Sequence, residues 1–134
     1  MKKMICFTLL IVCILLVSCA DNEPLVITEN DTTIVIKVIE EPIDGSIVLL
    51  DYMDKLKQKG QIDFNVENGM ITSVNGIENA KDFSKCWMLY TSDSDNSNPA
   101  WGTVDYNGNI YGSSIFGADK LEIKKDELYF WVYK

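Results

Sequence analysis

The chain contains no histidine, and its 12 basic residues are all lysines. Without an imidazole there is no Ser-His or Cys-His pair to activate a nucleophile. The His/Cys ligand set that zinc prefers is nearly empty. No Ser-Lys spacing stands out as a substitute, and no glycine loop is laid out to cradle phosphate. Paired carboxylates occur in any acidic chain, but a glycosidase needs a long cleft that so small a domain hardly provides. Asp93-x-Asp95-x-Ser97 begins like a calcium loop, yet its sixth position is Asn98 rather than Gly and its twelfth is Val104 rather than Glu. It reads as a solvated polar loop. The expectation is a protein that is not an enzyme and carries neither a metal nor a catalytic cofactor. There is also no fixed-period repeat.

Basic charge is scarce as well, and its distribution is informative. All 20 acidic residues lie beyond Cys19, while Lys2 and Lys3 precede it. Met4 to Val17 is an almost unbroken apolar run without charge. A membrane-spanning helix needs roughly 20 apolar residues to cross about 30 Å of hydrocarbon; this run is shorter and falls in the range of a signal-peptide apolar region. It ends in Leu16-Val17-Ser18-Cys19, which resembles the lipobox of bacterial lipoproteins. The resemblance implies a lipoprotein signal peptide over residues 1–18. It also implies a diacylglyceryl thioether on Cys19, which becomes the mature N-terminus. Two acyl chains on one residue satisfy the two-anchor requirement for stable attachment. The expected location is extracytoplasmic, on the outer face of the bacterial cell membrane.

Loss of residues 1–18 from 134 leaves 116, enough for one core. With 10 of the 12 lysines remaining against 20 acids, the mature charge is −10. Such a chain is repelled by phosphate backbones and anionic headgroups, so nucleic acid is excluded as a partner. The charge serves solubility at a crowded surface. Cys6 and Cys13 leave with the signal and Cys19 is acylated, so Cys86 is the one remaining thiol. No intramolecular disulfide can form, although an exported domain would permit one. Cys86 sits in a strand-like run and reads as a small buried apolar residue.

Residues 19–31 form the lipidated Cys and a polar, acidic tether, whose Leu25-Val26-Ile27 are candidates to join the sheet. Thr33 to Ile39 is β-branched and predicts a first strand. Ser46 is placed to cap an amphipathic helix over about 46–59, with Val48, Tyr52 and Leu56 on one face and Gly60 as its stop. Ile62, Phe64 and Val66 alternate with polar residues, Asn68-Gly69 signals a hairpin, and Met70 to Val74 is the return strand. Asn75-Gly76 is a second turn. Strands are expected over Lys85–Thr91, Trp101–Tyr106, Lys120–Ile123 and Glu127–Tyr133, with a polar loop from Ser92 through Pro99. One helix with six or seven hairpin-connected strands is an α+β domain over 32–134.

The order of motifs then suggests a family. The helix is followed by Ile71-Thr72-Ser73-Val74-Asn75-Gly76-Ile77 and then by Trp87-Met88-Leu89-Tyr90. Next come Gly117-Ala118-Asp119 and a closing Leu128-Tyr129-Phe130-Trp131. This series resembles the transcobalamin-like C-terminal domain, similar to the small β-domain of intrinsic factor and transcobalamin, over roughly residues 32–134. The resemblance implies a small antiparallel or mixed β domain, β-grasp-like, with one amphipathic helix. Two departures stand out. Thr91 to Phe116 is longer than the family's short turn, and Asp126-Glu127 replaces its Gly-Asp turn.

Trp87 and Trp131 lie in apolar strands and read as core. The aromatics on turn-rich segments, Trp101, Tyr106, Tyr111 and Phe116, are the candidate ligand contacts, because loops carry binding beyond their share. The resemblance implies a flat organic ligand such as cobalamin or a related corrinoid. In the vitamin carriers a helical domain covers the ligand's second side, and this chain has none. The competing expectation is a module that docks a surface protein or the cell wall and takes no small molecule. In both cases the membrane is a partner through the lipid anchor.

Overall fold

The computed structural model describes residues 25–40 and 47–134. The signal peptide, Cys19, residues 20–24 of the tether and the expected cap Ser46 lie outside them. Among the described residues no helix is long and apolar enough to cross a membrane.

Among the described residues nine strands and one α-helix follow in order: β1 Val26–Asn30, β2 Thr33–Lys37, α1 Leu49–Gln58, β3 Phe64–Glu67, β4 Met70–Val74, β5 Ile77–Glu78, β6 Trp87–Thr91, β7 Ser97–Tyr106, β8 Asn109–Ser114 and β9 Leu128–Tyr133. Six strands form one sheet in the order β1-β2-β9-β6-β8-β7, and β3-β4-β5 form a second. Every pairing is antiparallel. Of the expected antiparallel or mixed arrangement, the antiparallel form is the one present. The sheet begins inside the stretch assigned to the tether: Val26 pairs with Ile36 and Ile27 with Val35. The folded domain therefore starts by Val26 rather than at residue 32.

One face of the large sheet carries the main core. Ile34 and Ile36 of β2, Trp87 and Leu89 of β6, and Tyr129 and Trp131 of β9 pack there. Leu49, Met53 and Leu56 of α1 and Phe64, Ile71 and Val74 of the small sheet cover them. The Trp131 indole N–H points at the Met53 sulfur, 3.3 Å away. On the opposite face Val35, Tyr90 and Phe130 make a smaller cluster.

The helix begins at Leu49, later than the apolar pattern suggests, and its N-cap Val48 supplies no side-chain bond. Its first N–H groups are satisfied from elsewhere. Leu49 N–H donates to Leu121 O and Leu50 N–H to Ala118 O, each at 2.8 Å. Segment 117–123 thus does the work of a cap.

That arrangement accounts for one difference from expectation. Lys120–Ile123 is not a strand: Leu121 and Ile123 are buried and Glu122 is exposed, but the only ladder contact is a single bridge from Val48 to Glu122. Burial alternates with period two, yet among the described residues no named strand pairs with it. The segment Thr91–Phe116 differs too. It is not a plain loop but a short 3-10 turn at Ser94–Asn96 followed by the β7–β8 hairpin. β7 begins at Ser97 and passes through Pro99, which an edge strand tolerates. Its register jumps from Asn98↔Ser113 to Thr103↔Gly112, leaving residues 99–102 as a bulge. A Cβ at Gly112 would stand 2.9 Å from the Pro99 nitrogen, so the bulge can close only over glycine.

The stretch 93–97 also departs from a solvated loop. Asp93 is 2 % exposed. It accepts from the Lys124 ammonium (2.9 Å), the Asn96 amide (2.7 Å) and the Asp95 N–H (3.1 Å). Burial pushes the Asp93 carboxyl upward, but these bonds and the lysine charge outweigh it and hold it below the usual range. Beside it, Ser92 Oγ donates to Glu127 and accepts the Leu128 N–H at 2.8 Å. The two turns at 92–96 and 124–127 are thereby clasped. Asp126 within the second turn has φ of 66°, the conformation a glycine takes readily.

Candidate functional site

The hairpin turn Asn68-Gly69 and the segment leaving β8 stand opposite one another at one end of the main core. Asn68 and Gly69 adopt φ of 49° and 79°, the positive pair of a type I′ hairpin. Across from them, Ser114 clasps its own turn: its Oγ donates to Phe116 O at 2.7 Å and accepts the Phe116 N–H at 3.2 Å. Ile115 N–H is held by Asn96 O at 3.0 Å. These bonds use the backbone and leave the Ile115 and Phe116 side chains 36 % and 44 % exposed.

Between the two walls lies a solvent-open cleft of about 370 Å³. Ile71, Trp87, Leu89 and Trp131 line its floor, with Met70, Ile115 and Phe116 on the rim. The floor is rigid because it is the edge of the core. Trp87 donates its indole N–H to Ile77 O at 2.7 Å and its ring lies 5.4 Å from that of Tyr133. Met70 is 53 % exposed, so large apolar surface faces water around a buried apolar floor. Asp119 is the sole ionisable residue of the lining. Its carboxylate fits closely against the turn, since a Cβ on Gly69 would fall 2.5 Å from Asp119 Oδ2. The arrangement can grip an apolar face and offer a few backbone and hydroxyl groups at its margin. It brings together no acid–base pair, and among the described residues no group of His, Cys, Asp and Glu could hold a metal ion.

The four candidate aromatics separate. Phe116 stands on the cleft rim. Trp101 sits in the β7 bulge, 64 % exposed and not part of the cleft lining. Tyr106 and Tyr111 pack on Phe130 in the smaller cluster, with ring centroids 5.3 and 5.0 Å away. Burial and the nearby Glu29 carboxylate raise the Tyr106 phenol above its ordinary pKa. Cys86 is half-buried, its sulfur 3.5 Å from that of Met88. Sequence reasoning did not single out Met70 or Ile115. The available signal was an apolar residue directly after the Asn-Gly turn and another directly before Phe116. Comparison with models of protein families, with curated proteins and with solved structures returned no match.

Proposed function

We propose that this protein is a lipid-anchored, extracytoplasmic binding module, not an enzyme, and that the cleft between the Asn68-Gly69 turn and Phe116 holds one side of a flat organic ligand. The carrying observation is the cleft itself: a rigid floor containing two tryptophans, rimmed by exposed Met70, Ile115 and Phe116. A single carboxylate without an acid–base partner argues for holding rather than converting the ligand. A corrinoid is the ligand that the resemblance to the transcobalamin-like C-terminal domain suggests. A β-grasp-like reading of one helix packed across an antiparallel sheet belongs to the same proposal. A second reading, a docking module for a surface protein, draws on Trp101 and Ile110, 64 % and 67 % exposed and both outside the cleft lining.

Cobalamin and cobinamide titrated into the protein, with tryptophan emission followed against an absorbance control, distinguish the two. The cleft reading expects saturable quenching, weak because only one face of the ligand is covered. The signal is lost in Phe116→Ala and kept in Trp101→Ala. Absence of saturable quenching for both corrinoids at high micromolar concentration favours docking. Anchoring is tested separately: a palmitate analogue should label the natural chain and not Cys19→Ala. Equal labelling of the two overturns the lipobox reading.

A further inference from the structure

The second sheet has an outer face that meets the cleft only at Asn68 and Met70. Loop 79–86 folds over this face and is unusually well tied down. Asn79 N–H donates to Thr72 O at 2.8 Å, Asn79 Nδ2 to Ile71 O at 3.0 Å, and Trp87 N–H to Asn79 Oδ1 at 2.9 Å. Ala80 N–H reaches Lys85 O and Phe83 N–H reaches Ala80 O, both at 2.9 Å. Asp82 accepts from both the N–H and the hydroxyl of Ser84 (3.1 and 2.7 Å). At the tip of this loop Phe83 has φ of 55° and is 63 % exposed. A bulky residue in the left-handed region is a conformational outlier, and such outliers cluster at functional sites. A rigid loop that holds a phenyl ring out in water gains nothing for the core.

Beside the ring lies a groove of about 620 Å³. Asn65, Glu67, Thr72, Glu78 and Lys81 line it together with Phe83. The Asn65 amide is fixed by its bond to Ser73 Oγ at 2.9 Å. One lysine against two carboxylates does not suit a polyanion. Val66 and Met70 add apolar surface beside Phe83, so the lining mixes polar and apolar groups and suits neither a wholly apolar helix face nor a lipid tail.

We infer that this groove is a second binding site, for an uncharged polyhydroxylated ligand: a neutral oligosaccharide whose ring stacks on Phe83 while amide, hydroxyl and carboxylate groups take its hydroxyls. An aromatic face with low conformational freedom is an efficient platform for the C–H face of a sugar. Preorganisation of loop 79–86 removes an ordering cost from binding.

The test uses the isotopically labelled full chain in detergent micelles, titrated with chitotetraose, cellotetraose and maltotetraose and followed by backbone amide shifts. The expected result is saturable movement of Asn65, Thr72 and Phe83 with at least one tetrasaccharide at millimolar concentration. Phe83→Gly suits the observed φ, keeps the fold and removes the ring; it should weaken binding about tenfold. Phe83→Trp should bind at least as well as the natural chain, and Phe116→Ala should bind equally. No saturable shift with any of the three sugars overturns the proposal, as does undiminished binding by Phe83→Gly or a preference of the groove for tetralysine. Because Phe116 and Phe83 line different sites, failure here leaves the corrinoid titration unaffected.

Discussion

Trp87 shows how one side chain joins core to site. It is 5 % exposed, its N–H is bonded to Ile77 O, and its ring forms part of the cleft floor. Trp87→Ala should cost about 3–5 kcal/mol, as truncation of a buried large aromatic usually does. Trp87→Phe should cost less, removing only the indole's bond to the Ile77 carbonyl. Urea melts measure both, and a loss under about 1 kcal/mol for the alanine variant would mean the indole is not core. At this scale the sequence was readable where apolar periodicity and burial coincide: Trp87 and Trp131 read as core and are core. It was opaque where function and packing use the same residue types. Tyr106 and Tyr111 look like surface aromatics on turn-rich segments, yet Phe130, far away in the sequence, gives them a partner.

Among the elements, the turns were the most legible. Asn68-Gly69, Asn75-Gly76 and Asn107-Gly108 all adopt paired positive φ, because Asn and Gly tolerate what a two-residue hairpin demands. β8 was illegible. Asn109-Ile110-Tyr111-Gly112-Ser113-Ser114 has little strand propensity of its own and exists through pairing with β6 and β7 on either side. The helix starts later than its apolar pattern for a related reason: its capping carbonyls come from Ala118 and Leu121, residues no local pattern connects to position 48. The turn facing the cleft supports a comparison. Gly69 and Gly76 have φ of 79° and 84°, but only a Cβ at Gly69 meets a neighbour, the Asp119 carboxylate. Each glycine replaced by alanine should cost about 1–2 kcal/mol from the left-handed backbone. Gly69→Ala should cost a further fraction because Asp119 must turn away. In an Asp119→Ala background that surplus should vanish, which a double-mutant cycle reads directly. Equal costs for the two glycines in the natural background would show that the turn and Asp119 are not in contact.

For the whole molecule, stability rests on packing and on a few buried polar bonds, since the one described cysteine, Cys86, is free. Two of those bonds meet at Lys124. Its ammonium pairs with Asp93, and its N–H donates to Tyr129 Oη at 2.9 Å. Burial pushes the Tyr129 phenol from 10.0 up to about 12, so the folded state holds this proton more tightly than the unfolded state. Its contribution is therefore complete below pH 10 and is lost as pH rises from 10 to about 12. Two units correspond to roughly 3 kcal/mol at most. Asp93 works at the other limb. Its carboxyl is held below 3.8, so its contribution is present above that value and fades as pH falls beneath it. Stability should then form a broad plateau with an alkaline edge set mainly by Tyr129 and an acid edge set in part by Asp93. Tyr129→Phe should lower stability at neutral pH, because the Lys124 N–H loses its acceptor, yet should flatten the alkaline edge. Asp93→Asn should flatten the acid edge and also soften the alkaline one, because the Asp93 carboxylate raises both the Lys124 ammonium and the Tyr129 phenol. Urea midpoints measured across pH test both, and an alkaline edge of unchanged slope in Tyr129→Phe would remove the phenol from this account.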